Sequence, residues 1–219
     1  MGGASSAANA GAEVRLRLRN VGLKKDGARL GLLALLKQKQ WIVELNVELN
    51  PIGDLTSVFR LCGAVQSEKC WRTLNVACLG GNATSGVGAE STNLGTQLAS
   101  CLSNATGLKD LDCSGNGLGD TGAKEMVKAM KCTDGLERLA LNDSGCYILT
   151  ATMLQAALGA NAGSQAVLKA LELRGNALND DCITVLAEGL SQSISLEKLM
   201  LAKHCRHSWL ITFLLTANC

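Results

Sequence analysis

The sequence predicts an open α/β solenoid of about seven strand–helix repeats, with a parallel sheet along one side and helices along the other. Three observations predict it. From Leu108 to Met130 an apolar pattern of period two (Leu108, Leu111, Cys113) passes through Asn116 and Leu118 into a helical one (Ala123, Met126, Val127, Met130). A strand and a helix this short cannot bury both apolar faces alone, so the unit needs neighbours of its own kind. Those neighbours recur, and the position that follows each strand half, asparagine in four of the seven, falls at 21, 50, 82, 116, 144, 176 and 204, with spacings of 29, 32, 34, 28, 32 and 28 residues.

In chain order, residues 1–12 are small and polar and read as a flexible arm. Met1-Gly2-Gly3-Ala4-Ser5-Ser6 fits the N-myristoylation pattern, so membrane contact is expected only if Gly2 is acylated, with Arg15, Arg17, Arg19, Lys24 and Lys25 as the second signal. The repeat domain spans 13–204. Leu16 and Leu18 open its first strand, and the apolar run 28–36 forms a helix far short of the ~20 residues a membrane span needs. Ile42, Leu45, Val47, Asn50 and Ile52 make the second repeat, with Pro51, the only proline, just past the strand.

Leu74, Ala77, Leu79 and Asn82 make the third, whose extra residues lie in the Gly/Ser/Thr-rich stretch 83–93, an expected loop before a helix carrying Leu94, Leu98 and Leu102. The Leu108 unit is the fourth. Leu136, Leu139, Leu141 and Ser144 mark the fifth, Leu168, Leu171, Leu173, Asn176 and Leu178 the sixth, and Leu196, Leu199, Leu201 and His204 the seventh. The sixth helix is expected to bury Ile183, Leu186, Ala187 and Leu190. All strands are expected to run in one direction. Residues 205–219 break the pattern and are a candidate end cap, with a short apolar block at Trp209, Leu210, Ile211, Phe213, Leu214 and Leu215.

The recurring asparagine has a physical reason. Where the chain leaves the strand, backbone groups lose their partners, and an amide side chain can both donate and accept for its own coil and the next. Asn50, Asn82, Asn116 and Asn176 keep it, whereas Val21, Ser144 and His204 depart. Asp54, Asp120 and Asp180 each stand four residues further on, before a helix, where they are expected to cap its free N–H groups.

These motifs, above all Asn116-Gly117-Leu118-Gly119-Asp120-Thr121-Gly122-Ala123, resemble the leucine-rich-repeat proteins. The long spacing resembles the ribonuclease-inhibitor-like subclass, also used in NLR receptors and Ran GTPase-activating proteins, and the likeness runs from Val14 to Leu201. It implies a horseshoe arc with the sheet on the concave side and helices on the convex side. It implies little about function, because fold does not fix function.

Composition narrows the function classes. A net charge of +2 and six aromatic residues (3 Trp, 1 Tyr, 2 Phe) disfavour nucleic acid. Ten cysteines would suit a small secreted disulfide protein, but the N-terminus has no signal-peptide run, and Cys113 on a strand and Cys62, Cys101 and Cys182 in helices read as buried small hydrophobes. Three glycosylation sequons start at Asn82, Asn104 and Asn142, but Asn82 is expected to be buried in the asparagine column. A reducing, cytoplasmic setting follows.

No phosphate-cradling, hydrolase or zinc-protease motif occurs, so neither catalysis nor a cofactor is expected. His204, Cys205 and His207 are too crowded for a tetrahedral metal site. What remains is the outward strand face. One column is expected to be Arg17, Asn46, Cys78, Asp112, Ala140, Glu172 and Met200, and the next Arg19, Glu48, Gly80, Ser114, Asn142, Arg174 and Ala202. Its mixed charges suit another protein or a multiprotein complex, with Arg17, Arg19, Asn46, Glu48, Asp112, Ser114, Asn142, Glu172, Arg174 and Met200 as contact candidates. Two alternatives stand beside this reading. One is a GTPase regulator using Arg17 or Arg19, implied by the Ran GTPase-activating resemblance, and the other a membrane adaptor anchored at Gly2.

Overall fold

A computed structural model describes residues 13–23, 26–38, 42–50, 71–79, 95–100, 107–130, 133, 135–159 and 167–201, and the backbone of 211–214. The strands are β1 (Val14–Arg17), β2 (Ile42–Asn46), β3 (Thr73–Asn75), β4 (Asp110–Asp112), β5 (Arg138–Ala140), β6 (Ala170–Glu172), β7 (Lys198–Leu201) and β8 (Ile211–Leu214). The helices with defined ends are α1 (Asp26–Gln38), α2 (Gly119–Met130), α3 (Ile148–Leu158) and α4 (Asp180–Gln192), and residues 95–100 are also helical. The sheet is open, with spatial order equal to chain order from β1 to β8.

β1 to β7 pair in parallel, each leucine of one strand beside that of the next: Leu16, Leu45, Leu74, Leu111, Leu139, Leu171, Leu199. These leucines point inward; those from Leu45 onward are buried, with Leu108, Leu136, Leu168 and Leu196 beneath their strands. Burying one such side chain contributes roughly 1.5–3 kcal/mol. The helices close the other side of the core. α2 buries Ala123, Met126 and Val127, α3 buries Ala151, Leu154, Ala157 and Leu158, and α4 buries Cys182 and Leu186. Ile183 and Leu190 are only partly buried. Ala187, expected on that face, is exposed instead, and Cys182, one turn before Leu186, is buried. At Gly189 a Cβ would meet the Gln155 backbone at 2.6 Å, so this glycine lets α4 approach α3.

Two expectations are corrected here. β8 runs antiparallel to β7, with Leu201 beside Ile211 and Lys198 beside Leu214, so the sheet is not uniformly parallel. The seven repeat strands keep one direction because each is reached by a full coil. β8 returns after only the few residues following Leu201, a connection too short for a parallel crossover.

The second correction is to the third coil. Leu74 lies beside Leu45 and Leu111, which puts Leu79, not Asn82, at the asparagine-equivalent position. The residue just before that position has a left-handed backbone in six coils, and in the third it is Cys78: Asn20 (φ 51°), Leu49 (58°), Cys78 (56°), Gly115 (68°), Asp143 (49°) and Gly175 (67°). Buried Trp71 fills the place that Ile42 takes in the second coil and that Leu108, Leu136, Leu168 and Leu196 take in the later ones. The true spacings around this coil are therefore 29 and 37 residues. Asn82 lies outside the described residues, as do Asp54, Cys62, Cys101, the 83–93 loop and the arm bearing Gly2. His204, Cys205 and His207 also fall outside them.

Candidate protein-interaction surface

The concave face is held by backbone and side-chain bonds running from coil to coil. Asn50 shows the device expected of the asparagine column. Its Oδ1 accepts from Val21 N (3.0 Å) and Leu23 N (3.3 Å) of the preceding coil, while its Nδ2 donates to Leu18 O (2.5 Å) and to Val47 O of its own coil (2.9 Å). Asn116 repeats this with Leu79 N, Val76 O and Cys113 O, and Asn176 with Ser144 N, Cys146 N, Leu141 O and Leu173 O. All three amides are buried.

Asp120 corrects its expected role. It lies in the first turn of α2, but its carboxylate accepts from Tyr147 N (2.8 Å), Leu149 N (2.9 Å), Thr150 N (2.9 Å) and Thr150 Oγ1 (2.7 Å). It therefore caps α3 of the following coil, whose first turn has no acid and whose own N-cap, Tyr147, makes no side-chain cap. In α4 the capping side chain is Asn179, which accepts from Cys182 N at 3.0 Å, and Asp180 is the first helical residue.

The strand columns become firm with the corrected register. The first is Arg17, Asn46, Asn75, Asp112, Ala140, Glu172 and Met200, so Asn75 replaces Cys78. In the second, Ala77 replaces Gly80, and Gly80 and Ala202 lie outside the described residues. Several contact candidates hold the scaffold itself. Asn46 and Asp112 accept from the backbone N–H two residues on, at Glu48 and Ser114, and Asn75 does the same for Ala77. Ser114 Oγ accepts from Asn142 N (3.1 Å), and Asn142 Oδ1 from Arg174 N (2.8 Å). Asn142 is thus engaged in the sheet, whereas the expected burial of Asn82 falls outside the described residues.

A third outward column, one pair position earlier, was missed: Arg15, Glu44, Thr73, Asp110, Arg138, Ala170 and Lys198. Among the described residues it holds the side chain with the most ion-pair partners, Arg138. Arg138 reaches Asp110 at 2.7 Å, Glu172 at 3.0 Å and Asp112 at 3.5 Å, tying β4, β5 and β6 together. Burial pushes the Glu172 carboxyl up, but hydrogen bonds from Arg138 and Asn142 outweigh it and hold the group below its ordinary range. Burial alone would lower the Arg138 value, yet its hydrogen bonds to Asp110 and Glu172 raise it further. The period-two pattern that places Leu111 and Leu139 inward already put Asp110 and Arg138 outward.

At the other end, Arg17 pairs with Glu44 (2.6 Å) and Arg19 with Glu48 (3.5 Å), the arginines lying largely in solvent. The Arg17 hydrogen bond is the main reason the Glu44 carboxyl lies below its usual value. Arg174 is exposed and makes no ion pair among the described residues, and Met200 is half-buried in the neighbouring strand. No group of side chains among the described residues could hold a metal ion. No helix among them is long and apolar enough to cross a membrane.

One strand per coil, leucines beneath it and an amide joining coils define a leucine-rich-repeat solenoid. A family model described as Leucine Rich repeat matches residues 105–127. Human NACHT, LRR and PYD domains-containing protein 3 is 31% identical over 198 residues, covering 84% of this chain and 17% of that protein. Its Bos taurus counterpart is 31% identical over 199 residues, with the same coverage. The ribonuclease inhibitor of Sus scrofa is 31% identical over 135 residues, 61% of this chain and 27% of that protein. The chain thus spans well under a third of the length of these relatives. It belongs to the leucine-rich-repeat family, in its ribonuclease-inhibitor-like subclass.

Proposed function

We propose that this chain is a non-enzymatic protein–protein interaction module, a scaffold or subunit of a larger assembly in a reducing, cytoplasmic setting. It binds through the concave sheet and the exposed helices. The observation that carries the reading is the concave face itself. A fixed network around Arg138 lies beside exposed Arg174 and half-buried Met200, giving rigid polar groups and an apolar contact on neighbouring strands. Rigid, mixed-sign surfaces favour a complementary protein over a phosphate backbone. The relatives' names point the same way, one describing an inhibitor of a ribonuclease.

The thiols also support a non-enzymatic reading. Cys78, Cys113, Cys146 and Cys182 are free. Burial pushes all four up, Cys146 to about 12, so none offers a ready thiolate nucleophile at neutral pH. Arg17 and Arg19, which a GTPase-regulating role would need, are held by Glu44 and Glu48, and no observation favours that alternative. The membrane-adaptor alternative rests on Gly2, outside the described residues, with Arg15, Arg17, Arg19, Lys24 and Lys25 as its second signal.

A photo-crosslinking residue at Arg174, compared with one at exposed Thr184 on the convex helix α4, tests the proposal in cells. Crosslinks to one recurring protein from position 174 support it. Their absence from 174, or their appearance from 184 alone, contradicts the concave surface as the binding face.

A further inference from the structure

The two ends of the sheet are built differently. At one end the antiparallel β8 occupies the far side of β7. At the other, β1 pairs on only one of its two sides among the described residues. The amides of Leu18 and Asn20 donate to Asn46 O (2.7 Å) and Glu48 O (2.9 Å) of the second coil. Successive residues of an extended chain point their N–H and C=O groups to opposite sides. Those of Arg15, Arg17 and Arg19 therefore point away from β2, and no strand lies there among the described residues. Such a row of groups is a template for another strand.

The side chains say which strand would fit. On the concave side Arg15, Arg17 and Arg19 have side chains 63–65% exposed, and these three cations share two carboxylates, Glu44 and Glu48. On the inward side Leu16 and Leu18 are only partly buried, whereas Leu45 and Val47, their counterparts one coil on, are fully buried. Val21, in the asparagine-equivalent position, is 55% exposed. The strand already on the other side of β1 shows what satisfies these groups. It reads Glu44-Leu45-Asn46-Val47-Glu48, with polar or acidic residues toward the arginines and apolar residues inward.

We propose that the open edge of β1 binds an extended segment of another protein in which carboxylates alternate with apolar residues. The carboxylates lie beside Arg15, Arg17 and Arg19, and the apolar residues cover Leu16, Leu18 and Val21. A second copy of β1 does not fit, because it would set three arginines against three on one face, and like charges directly opposite destabilise a strand pair. This goes beyond the concave-face reading, since the contact is main-chain pairing at the edge and needs none of the Arg138 network.

The test uses the full chain and a synthetic peptide with the sequence of residues 42–50, with a twin in which both glutamates of its Glu-Leu-Asn-Val-Glu core become lysine. Residue-resolved amide exchange should show Arg17 and Arg19 slowing about tenfold on adding the acidic peptide, while Leu18 and Asn20, already bonded, change little. The lysine twin should bind roughly tenfold more weakly, the loss expected for two exposed ion pairs, and added salt should narrow the gap. The triple variant Arg15→Glu, Arg17→Glu, Arg19→Glu should reverse the preference; if it does not fold, the peptide pair on the unaltered chain decides. Three results would overturn the proposal. Equal binding of both peptides, or protection confined to β4–β6, removes the charge match or the edge. Protection of the Arg17 amide equal to that of Leu18 in the free chain means that the edge is already filled. Protection that rises with protein concentration alone, with a dimer in native mass spectrometry, makes a second copy the occupant.

Discussion

The interface between the fifth and sixth coils and that between the fourth and fifth are joined by the same backbone pairing but by different side chains. Between the fifth and sixth, one buried amide, Asn176, serves two N–H and two C=O groups at 2.8–3.0 Å. Between the fourth and fifth, Ser144 occupies the equivalent position and turns back on its own coil, donating to Asn142 O. That junction is held instead at its rims, by Asp120 on the helix side and Arg138 on the strand side. The difference repeats with a period of two coils. Asn50, Asn116 and Asn176 join the first coil to the second, the third to the fourth, and the fifth to the sixth, while Leu79 and Ser144 take the position at the two junctions between these pairs. In a solenoid, stability is roughly a sum of interface terms. In this chain alternate terms carry a buried amide clasp, while ion pairs cross clasped and unclasped junctions alike, as Arg138 does in reaching both Asp110 and Glu172.

The largest expected effect separates the two kinds. Asn176→Ala leaves four buried backbone groups to find other partners, each unmet group costing ~1–3 kcal/mol, and should destabilise by about 3 kcal/mol after relaxation. Ser144→Ala removes one hydrogen bond and should cost about 1 kcal/mol or less in urea unfolding. Equal losses would erase the distinction.

Arg138→Ala comes next, at about 2 kcal/mol, because it leaves Asp110, Asp112 and Glu172 facing one another without their cation. This junction should also be sensitive to acid. The folded Glu172 value lies below its unfolded value of ~4.3, so its contribution is complete above about pH 5 and is lost as pH falls through the folded value. Glu172→Gln should flatten that part of the stability–pH curve, and an unchanged slope would remove Glu172 as its source.

Asp120→Ala should cost about 1–2 kcal/mol, the loss of a helix cap, with the effect read as faster amide exchange at Leu149 and Thr150 of α3 rather than in α2. Faster exchange in α2 alone would return Asp120 to its own helix.

The smallest effect lies within a coil. Leu49 holds a left-handed backbone at φ 58° and is partly exposed, so Leu49→Asn should stabilise by ~0.5–1 kcal/mol and leave both kinds of interface unchanged.

Much of this was legible in the sequence because leucine spacing is a direct image of burial. The repeat class, the inward strand positions and three of the four expected asparagines follow from it. The third coil was misread because Trp71 replaces the opening leucine and Ala77, Leu79 and Asn82 imitate the spacing of the true positions Leu74, Val76 and Leu79. Asp120 was recognised as a cap, but one sequence cannot tell which of two neighbouring helices a side chain serves. Arg138 stands in the outward column near the start of each strand, where Arg15, Glu44, Thr73, Asp110, Ala170 and Lys198 share no residue type that would mark the column in a single sequence. β8 carries no repeat signal, and its direction depends on pairing with β7 rather than on its own pattern.

The pairwise clasp is tested most directly by amide exchange of Ser144 and Cys146, the two donors to Asn176, in the unaltered chain and in Asn176→Ala. The account predicts that both amides exchange at least about tenfold faster in the variant while Leu79, held by Asn116 two coils away, keeps its protection. Unchanged rates at Ser144 and Cys146, or equal acceleration at Leu79, would contradict it.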